Sequence, residues 1–167
     1  METICGFLPI ANAHSRILIL GSMPGVASLR KEQYYGHPQN AFWRVMSALL
    51  CEPFSEDYGE RTAMLLRHGV ALWDVVHCCE RTGSLDAHIK NPEINDFASF
   101  FSLHPGIRRI CFNGQTAYTL FKRNVGFNYP EMEFIRLGST SPAHAVTLET
   151  RLADWRRILP LPRIGEG

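Results

Sequence analysis

The fold is predicted by the stretch Ile17-Leu18-Ile19-Leu20-Gly21-Ser22-Met23-Pro24-Gly25, in which an apolar run ends abruptly in a tight loop. A short, continuously apolar run bounded by glycine and proline is typical of a strand that is buried on both faces of a sheet. A second stretch, Gly36-His37-Pro38-Gln39-Asn40-Ala41-Phe42-Trp43-Arg44, leads into a helical pattern. Residues just past the carboxyl end of such a strand face the crevice where α/β proteins bind ligands. We therefore expect both stretches to border a ligand-binding crevice.

Strand-type runs alternate with helical patterns along the rest of the chain. The predicted strands are Arg16 to Leu20, Val70 to Val76, Arg109 to Phe112 and Glu133 to Leu137. The predicted helices are Ala41 to Leu50, Glu60 to His68, Asp96 to Leu103, Thr116 to Asn124 and Leu148 to Leu159. This alternation predicts an α/β fold, a three-layer sandwich with a central four-stranded parallel sheet flanked by helices. No linker rich in Pro, Gly or Ser interrupts the pattern, so residues 1–167 are predicted to form a single domain.

Composition sets wider bounds on the class of protein. The chain has 167 residues, 46% of them hydrophobic, which is enough for one domain with a sizeable core. No apolar run approaches the ~20 residues that span a bilayer, and no signal-type segment begins the chain. We therefore expect a cytoplasmic protein without membrane association. Its net charge of +1 does not by itself indicate a nucleic-acid-binding protein.

The five cysteines are expected to be reduced, mostly buried thiols. They are odd in number and lack the C-x-x-C spacing of metal sites. Their positions are Cys5, Cys51, Cys78, Cys79 and Cys111. No metal or other cofactor is therefore expected.

Polar residues fall at the ends of all the predicted strands. They are Gly21 to Gly25, Asp74, Asn113 and the loop Gly138 to His144. Because the carboxyl ends of parallel strands share one edge, we expect these residues to lie around one cleft. Asn113, beside Gly114, is interpreted as a structural turn residue that borders this cleft.

Asp74 is notable because it interrupts an apolar strand. A buried, unpaired carboxylate costs several kcal/mol, so this residue needs either a partner or a function. A salt bridge with Arg81 or Arg44 and a functional role are equally compatible with the sequence.

Asn40 also allows two interpretations. Its carboxamide can cap the helix that starts at Ala41, or it can reach into the crevice. Phe42 and Trp43 are adjacent, so they point to different sides of that helix, and one ring can contact a planar ligand while the other packs in the core.

The two stretches together resemble the first motif of the uracil-DNA glycosylase superfamily. Gly21-Ser22-Met23-Pro24-Gly25 and His37-Pro38-Gln39-Asn40-Ala41-Phe42-Trp43 match that motif in order and spacing, and they are most similar to its deoxyinosine (hypoxanthine) DNA glycosylases. The resemblance implies a monofunctional DNA repair enzyme that flips a deaminated base and hydrolyses its N-glycosidic bond. It also implies DNA as the partner, a monomer and no cofactor, and the cysteine pattern of the iron–sulfur branches is missing.

The resemblance also implies roles for individual residues. Asn40 is the expected catalytic residue, which orients a water molecule. Ser22 and Met23 are expected to bind the base through their backbone amides, Phe42 by stacking and Asp74 through the base edge. The second motif corresponds to a DNA-binding loop, with Ser139, Thr140, Ser141, Pro142 and His144 as its contacts.

Three departures from the family pattern qualify these roles. Met23 stands where many relatives have a water-positioning Asp or Asn. Asp74 replaces an Asn that both accepts and donates, which makes uracil a poorer fit than hypoxanthine. Leu137 replaces the histidine that precedes the second motif, so His144 is not assigned the role of stabilising the leaving base.

Other functions remain open from the sequence. A uracil- or mismatch-specific DNA glycosylase is the nearest alternative. A non-catalytic nucleic-acid-binding module of the same fold is a second, because Met23 cannot position water. A serine hydrolase would need a G-x-S-x-G elbow, which neither loop provides.

Overall fold

The computed structural model describes residues 2–162. In chain order its elements are β1 (Thr3–Cys5), β2 (Ile17–Gly21), α1 (Val26–Lys31), α2 (Phe42–Leu49), α3 (Tyr58–Arg67), β3 (Val70–Asp74), β4 (Val76–Glu80), β5 (Lys90–Ile94), α4 (Phe97–Leu103), β6 (Arg109–Asn113), α5 (Gln115–Asn124), β7 (Glu133–Leu137) and α6 (Leu148–Trp155). Short 3₁₀ turns cover Asp86–His88 and Arg156–Ile158. The single-domain prediction for 1–167 stays a prediction, since residues 1 and 163–167 lie outside the described part.

A parallel sheet in the order β3-β2-β6-β7 forms the centre of the fold. Side chains alternate across β2, so that Ile17 and Ile19 join the core under α2, α3 and α6, whereas Leu18 and Leu20 join the core under α4 and α5. This arrangement confirms the predicted α/β sandwich with a four-stranded parallel sheet between helices.

The caps explain where several helices begin. Asp57, Asp96 and Thr147 each accept a hydrogen bond from the backbone N–H three residues later, as N-cap side chains do. Gly69, with φ +73°, follows α3 and lets the chain turn into β3. The predicted helix 148–159 instead ends at Trp155 and continues as a 3₁₀ turn.

A second, antiparallel sheet in the order β1-β4-β5 was not predicted. The expected strand from Val70 to Val76 is divided, because β3 ends at Asp74 and Val76 begins β4 in the other sheet. Val75 N–H donates to Gly21 O at 2.8 Å and Val76 N–H donates to Ser22 O at 3.0 Å. The first loop, Gly21 to Gly25, thus accepts the backbone hydrogen bonds of the residues that leave the main sheet.

Two of the cysteines contradict the expectation of reduced thiols. Cys5 and Cys78 face each other across the β1–β4 pair and form a disulfide. Directly opposite positions in antiparallel strands bring two Cβ atoms close enough for this bond. Cys51, Cys79 and Cys111 are free, and the last two are buried.

The central strand should be sensitive to loss of volume. Leu18 is fully buried in β2, whereas Leu103 at the end of α4 is 76% exposed. We expect Leu18→Ala to lower the free energy of unfolding by about 2–5 kcal/mol, because it leaves a cavity between two packed layers. Leu103→Ala is the matched control and should change it by less than about 0.5 kcal/mol. Urea unfolding of both variants measures this, and equal losses would contradict the assigned layers.

Candidate active site

A cleft of about 950 Å³ lies at the carboxyl edge of the main sheet. Ser22, Asn40, Asp74 and Ser139 all line it, as the sequence predicts, although they come from four separate segments. Their convergence follows from the parallel register, in which the carboxyl ends of β2, β3, β6 and β7 share one edge.

The first loop forms the floor of the cleft. A Cβ atom at Gly21 would lie 2.5 Å from Asp74 Oδ1, so only glycine fits beside this carboxyl group. Ser22 donates its hydroxyl to Asp86 Oδ1 at 2.6 Å. Met23 is buried in a cluster with Val76 and Cys79. Its thioether therefore belongs to a core, and it offers no strong acceptor to water.

Asn40 combines the two roles that the sequence left open. Its Oδ1 accepts the Phe42 N–H at 2.9 Å, which satisfies one of the free donors at the start of α2. The residue is half-buried and also lines the cleft. Among residues 2–162, its Nδ2 makes no hydrogen bond and is available to a ligand or a water molecule.

The base-stacking role predicted for Phe42 is wrong for this geometry. Its ring is fully buried and does not line the cleft, because it packs edge-on against both Trp43 and Trp155. Tyr35 lies between Phe42 and the cleft, with its ring stacked on Phe42 at 4.1 Å between centroids. Tyr35, with Tyr34 beside it in the chain, therefore lines the cleft as its aromatic wall, while Trp43 is a core residue, as expected.

Asp74 is 4% exposed, and the predicted salt bridge is absent among the described residues. Arg81 donates instead to Pro24 O, and Arg44 lies over the Phe54 ring. Asp74 Oδ2 has no hydrogen-bond partner. Burial raises the pKa of this carboxyl group to about 7, and the nearby charge of Asp86 adds to the increase.

Asn113 holds the second loop, Gly138 to His144, in place. Its Nδ2 donates to Thr140 Oγ1 and its Oδ1 accepts the Thr140 N–H, both at 2.9 Å. Thr140 O in turn accepts the Ala41 N–H at 3.1 Å, which joins this loop to the start of α2. The structural role expected for Asn113 therefore matches its contacts.

The same contacts correct one member of the predicted DNA-binding loop. The Thr140 side chain is fully buried and bonded to Asn113, so it cannot reach a phosphate. Ser139 and Ser141 are half-buried, whereas Pro142 and His144 are exposed. Arg151 donates to the carbonyls of Ser141 and His144 and so fixes the loop from below.

Sequence reasoning missed the segment that contains Ser84 and Asp86. Both residues line the cleft, and Ser84 Oγ accepts the Val26 N–H at 2.9 Å. This segment connects two strands of the unpredicted small sheet, so no local pattern indicated that it reaches the first loop. Sequence reasoning also missed Arg136 and Arg157, exposed cations at the rim of the cleft, where a planar guanidinium suits a phosphate.

Fold and cleft together define an α/β protein with a polar cleft, bordered by an aromatic ring, at the carboxyl edge of its sheet. Residues 8–163 match the family model of the Uracil DNA glycosylase superfamily. The chain belongs to this superfamily, and the resemblance found in its first motif is confirmed.

Two curated proteins are similar over nearly the whole chain. The chain is 38% identical to the Hypoxanthine DNA glycosylase of Methanosarcina barkeri, with 90% of this chain and 94% of that protein covered. It is 36% identical to the Hypoxanthine DNA glycosylase of Methanosarcina acetivorans, with 92% and 96% covered. A candidate uracil DNA glycosylase from Methanosarcina acetivorans, solved by solution NMR, is 35% identical, with a TM-score of 0.79 and 94% and 96% covered.

The structure offers no helix, within residues 2–162, that is long and apolar enough to cross a membrane. In the same part of the chain, no group of three or more His, Cys, Asp or Glu side chains could hold a metal ion.

The Asp74 carboxyl group should make stability depend on pH. Its pKa rises from an ordinary value of 3.8 to about 7 on folding, so the folded state binds this proton more tightly. The stabilisation is complete below pH 3.8 and is lost as the pH rises to about 7. We expect the difference in unfolding free energy between wild type and Asp74→Asn to shift by a few kcal/mol in favour of the variant over this window, at about 1.4 kcal/mol per pKa unit. Urea titrations from pH 4.5 to pH 8 measure it, and a constant difference would contradict the raised pKa.

Proposed function

We propose that this protein is a monofunctional DNA glycosylase that removes hypoxanthine, the base of deoxyinosine, from DNA. The observation that carries the proposal is its similarity, over at least 90% of its length, to proteins named Hypoxanthine DNA glycosylase. The cleft supports it, because it combines an available amide at Asn40, an unsatisfied carboxyl group at Asp74 and an aromatic wall at Tyr35.

Base recognition is assigned to Asp74. The hypoxanthine edge presents a ring N–H beside a carbonyl oxygen, and an ionised carboxylate can only accept, whereas a protonated one accepts and donates. With a pKa near 7, Asp74 is present in both forms around neutral pH. Gly21 allows the base to approach this carboxyl group, since its position carries no side chain.

Bond cleavage is assigned to groups other than Asp74. As the N-glycosidic bond breaks, the sugar gains positive charge and the base gains negative charge. The Asn40 Nδ2 can hold a water molecule against the sugar, while the backbone amides of Ser22 and Met23 can donate to the base. The exposed part of the second loop, with Ser139, Ser141, Pro142 and His144, is proposed to contact the duplex and help extrude the nucleotide.

We further propose a monomer that acts in the cytoplasm with access to DNA. The free thiols of Cys51, Cys79 and Cys111 agree with a reducing compartment. The disulfide between Cys5 and Cys78 favours an oxidising one, and a count of free thiols in protein isolated under acid quench would distinguish the two.

A duplex carrying one deoxyinosine tests the activity directly. We expect an abasic site that breaks only after alkali or heat, in the presence of a chelator. Asn40→Ala should slow excision by about 10²-fold, as the loss of one preorganised polar group does, with a smaller effect on binding. Excision of uracil but not hypoxanthine would favour the alternative suggested by the NMR relative, and binding without excision of either base would favour a non-catalytic module.

Asp74→Asn should change the ranking of bases rather than abolish excision. At pH 8 the wild-type carboxyl group is mostly ionised. Uracil has a carbonyl on each side of its ring N–H, whereas hypoxanthine has a carbonyl on one side and a C–H on the other, so the donor that the amide adds should favour uracil relative to hypoxanthine. At pH 6 the protonated carboxyl group already donates, and the gain should shrink. Single-turnover rates on both lesions at both pH values measure this. Equal losses on the two bases would make Asp74 a structural residue.

A further inference from the structure

Residues 81–88, between β4 and β5, pack against the first loop through buried and cleft-facing side chains. Three hydrogen bonds join this segment to the first loop and to the start of α1. Arg81 Nη2 donates to Pro24 O at 2.5 Å, and Ser22 Oγ donates to Asp86 Oδ1 at 2.6 Å. The Val26 N–H donates to Ser84 Oγ at 2.9 Å. The Arg81 side chain, 3% exposed, lies under the loop. These contacts hold Asp86 at a defined place on the cleft wall.

Asp86 presents a carboxylate to the cleft. Its Oδ1 accepts from Ser22, and among residues 2–162 its Oδ2 makes no hydrogen bond. Its charge is close enough to raise the pKa values of both Asp74 and Tyr35. The cleft therefore contains two carboxyl groups, one buried at Asp74 and one exposed at Asp86.

Hydrolysis of an N-glycosidic bond needs an acceptor for the proton of the attacking water. Asn40 is a poor one, because its Oδ1 already accepts from Phe42 and an amide has no useful basicity. Met23 packs against Val76 and Cys79 and supplies no acceptor. Asp74 is buried beside Gly21, where the base edge is proposed to bind.

We propose that Asp86 is a catalytic residue, the carboxylate that accepts the proton of the water as it attacks the sugar; this inference rests on the proposed glycosylase function. The water oxygen bonds to C1′, and the C1′–N9 bond breaks with its electron pair leaving on hypoxanthine. The proton released by the water passes to Asp86 Oδ2, and the departing base takes a proton from solvent. Asn40 orients the water and Ser22 fixes the carboxylate.

Asp86→Asn separates charge from shape. The amide oxygen still accepts from Ser22, but the basic group is lost. We expect the single-turnover rate on deoxyinosine duplex to fall by about 10²- to 10⁴-fold at saturating enzyme, as for loss of a general base. The Kd for the duplex should stay equal or decrease, because a negative charge leaves a surface that meets a polyanion. Glu131→Gln, at an exposed site outside the cleft, is the control and should keep both values.

Chemical rescue distinguishes a base from a positioning residue. Sodium formate should raise the rate of Asp86→Ala by about 5-fold or more, because a small carboxylate fills the vacated space. Sodium chloride at equal ionic strength should not raise this rate, and formate should not raise the rate of Asn40→Ala. Ser22→Ala keeps the carboxylate but removes its hydrogen bond from the hydroxyl, and it should lose roughly 10-fold, less than Asp86→Asn, since this is one hydrogen bond to a charged group.

Three outcomes would overturn the role of Asp86. They are a wild-type rate in Asp86→Asn, a loss confined to Kd, and a loss in Ser22→Ala as large as in Asp86→Asn. Thermal unfolding of each variant verifies that it is folded, and the rescue arm decides the matter if Asp86→Asn is destabilised. A wild-type enzyme that excises no base would instead refute the proposed function, so the two failures are distinguishable.

Discussion

The register between β2 and β3 is the constraint on which the cleft depends. It sets Gly21 level with Asp74 at the edge where both strands end. Burial at this place leaves one carboxyl oxygen without a partner and raises the pKa of the group to about 7. A shift of β3 by one residue would turn Asp74 to the other face of the sheet. The position of the carboxyl group is thus a property of backbone pairing, and the missing side chain of Gly21 leaves room beside it.

A second constraint ties the two motifs to each other. Asn113, at the end of β6, makes two hydrogen bonds to Thr140, whose carbonyl accepts the N–H of Ala41. The second loop is therefore bonded to the residue next to Asn40. Such a chain of satisfied, buried polar groups fixes geometry more than it adds stability, because each group would be costly if it lost its partner. The rigidity that the proposed orientation of a water molecule by Asn40 requires comes from these contacts.

Most of the fold was predictable because its local patterns agree with its tertiary structure. The central strands are mostly apolar runs, and α3, α4 and α6 begin at side-chain caps. The division of Val70 to Val76 was not predictable, since apolar residues resume at Val75 directly after Asp74 while the backbone changes sheets. The disulfide was not predictable either, because Cys5 and Cys78 face each other only in a sheet that the sequence did not indicate.

The candidate site likewise contains residues that the sequence predicted and residues that it did not. Residues at the strand ends were predicted from topology, whereas Asp86 depends on the path of a loop that no periodicity describes. The sequence predicts only that the adjacent Phe42 and Trp43 point in different directions, which left one ring free to face the cleft. Phe42 was misassigned because both rings are buried in the structure. The loop around Asp86 brings a second carboxyl group to this cleft, whose first loop carries the thioether of Met23. Burial raises the pKa of Asp74 to about 7, whereas Asp86 is exposed, and two carboxyl groups in such different environments can take different parts, one binding the base and the other acting on water.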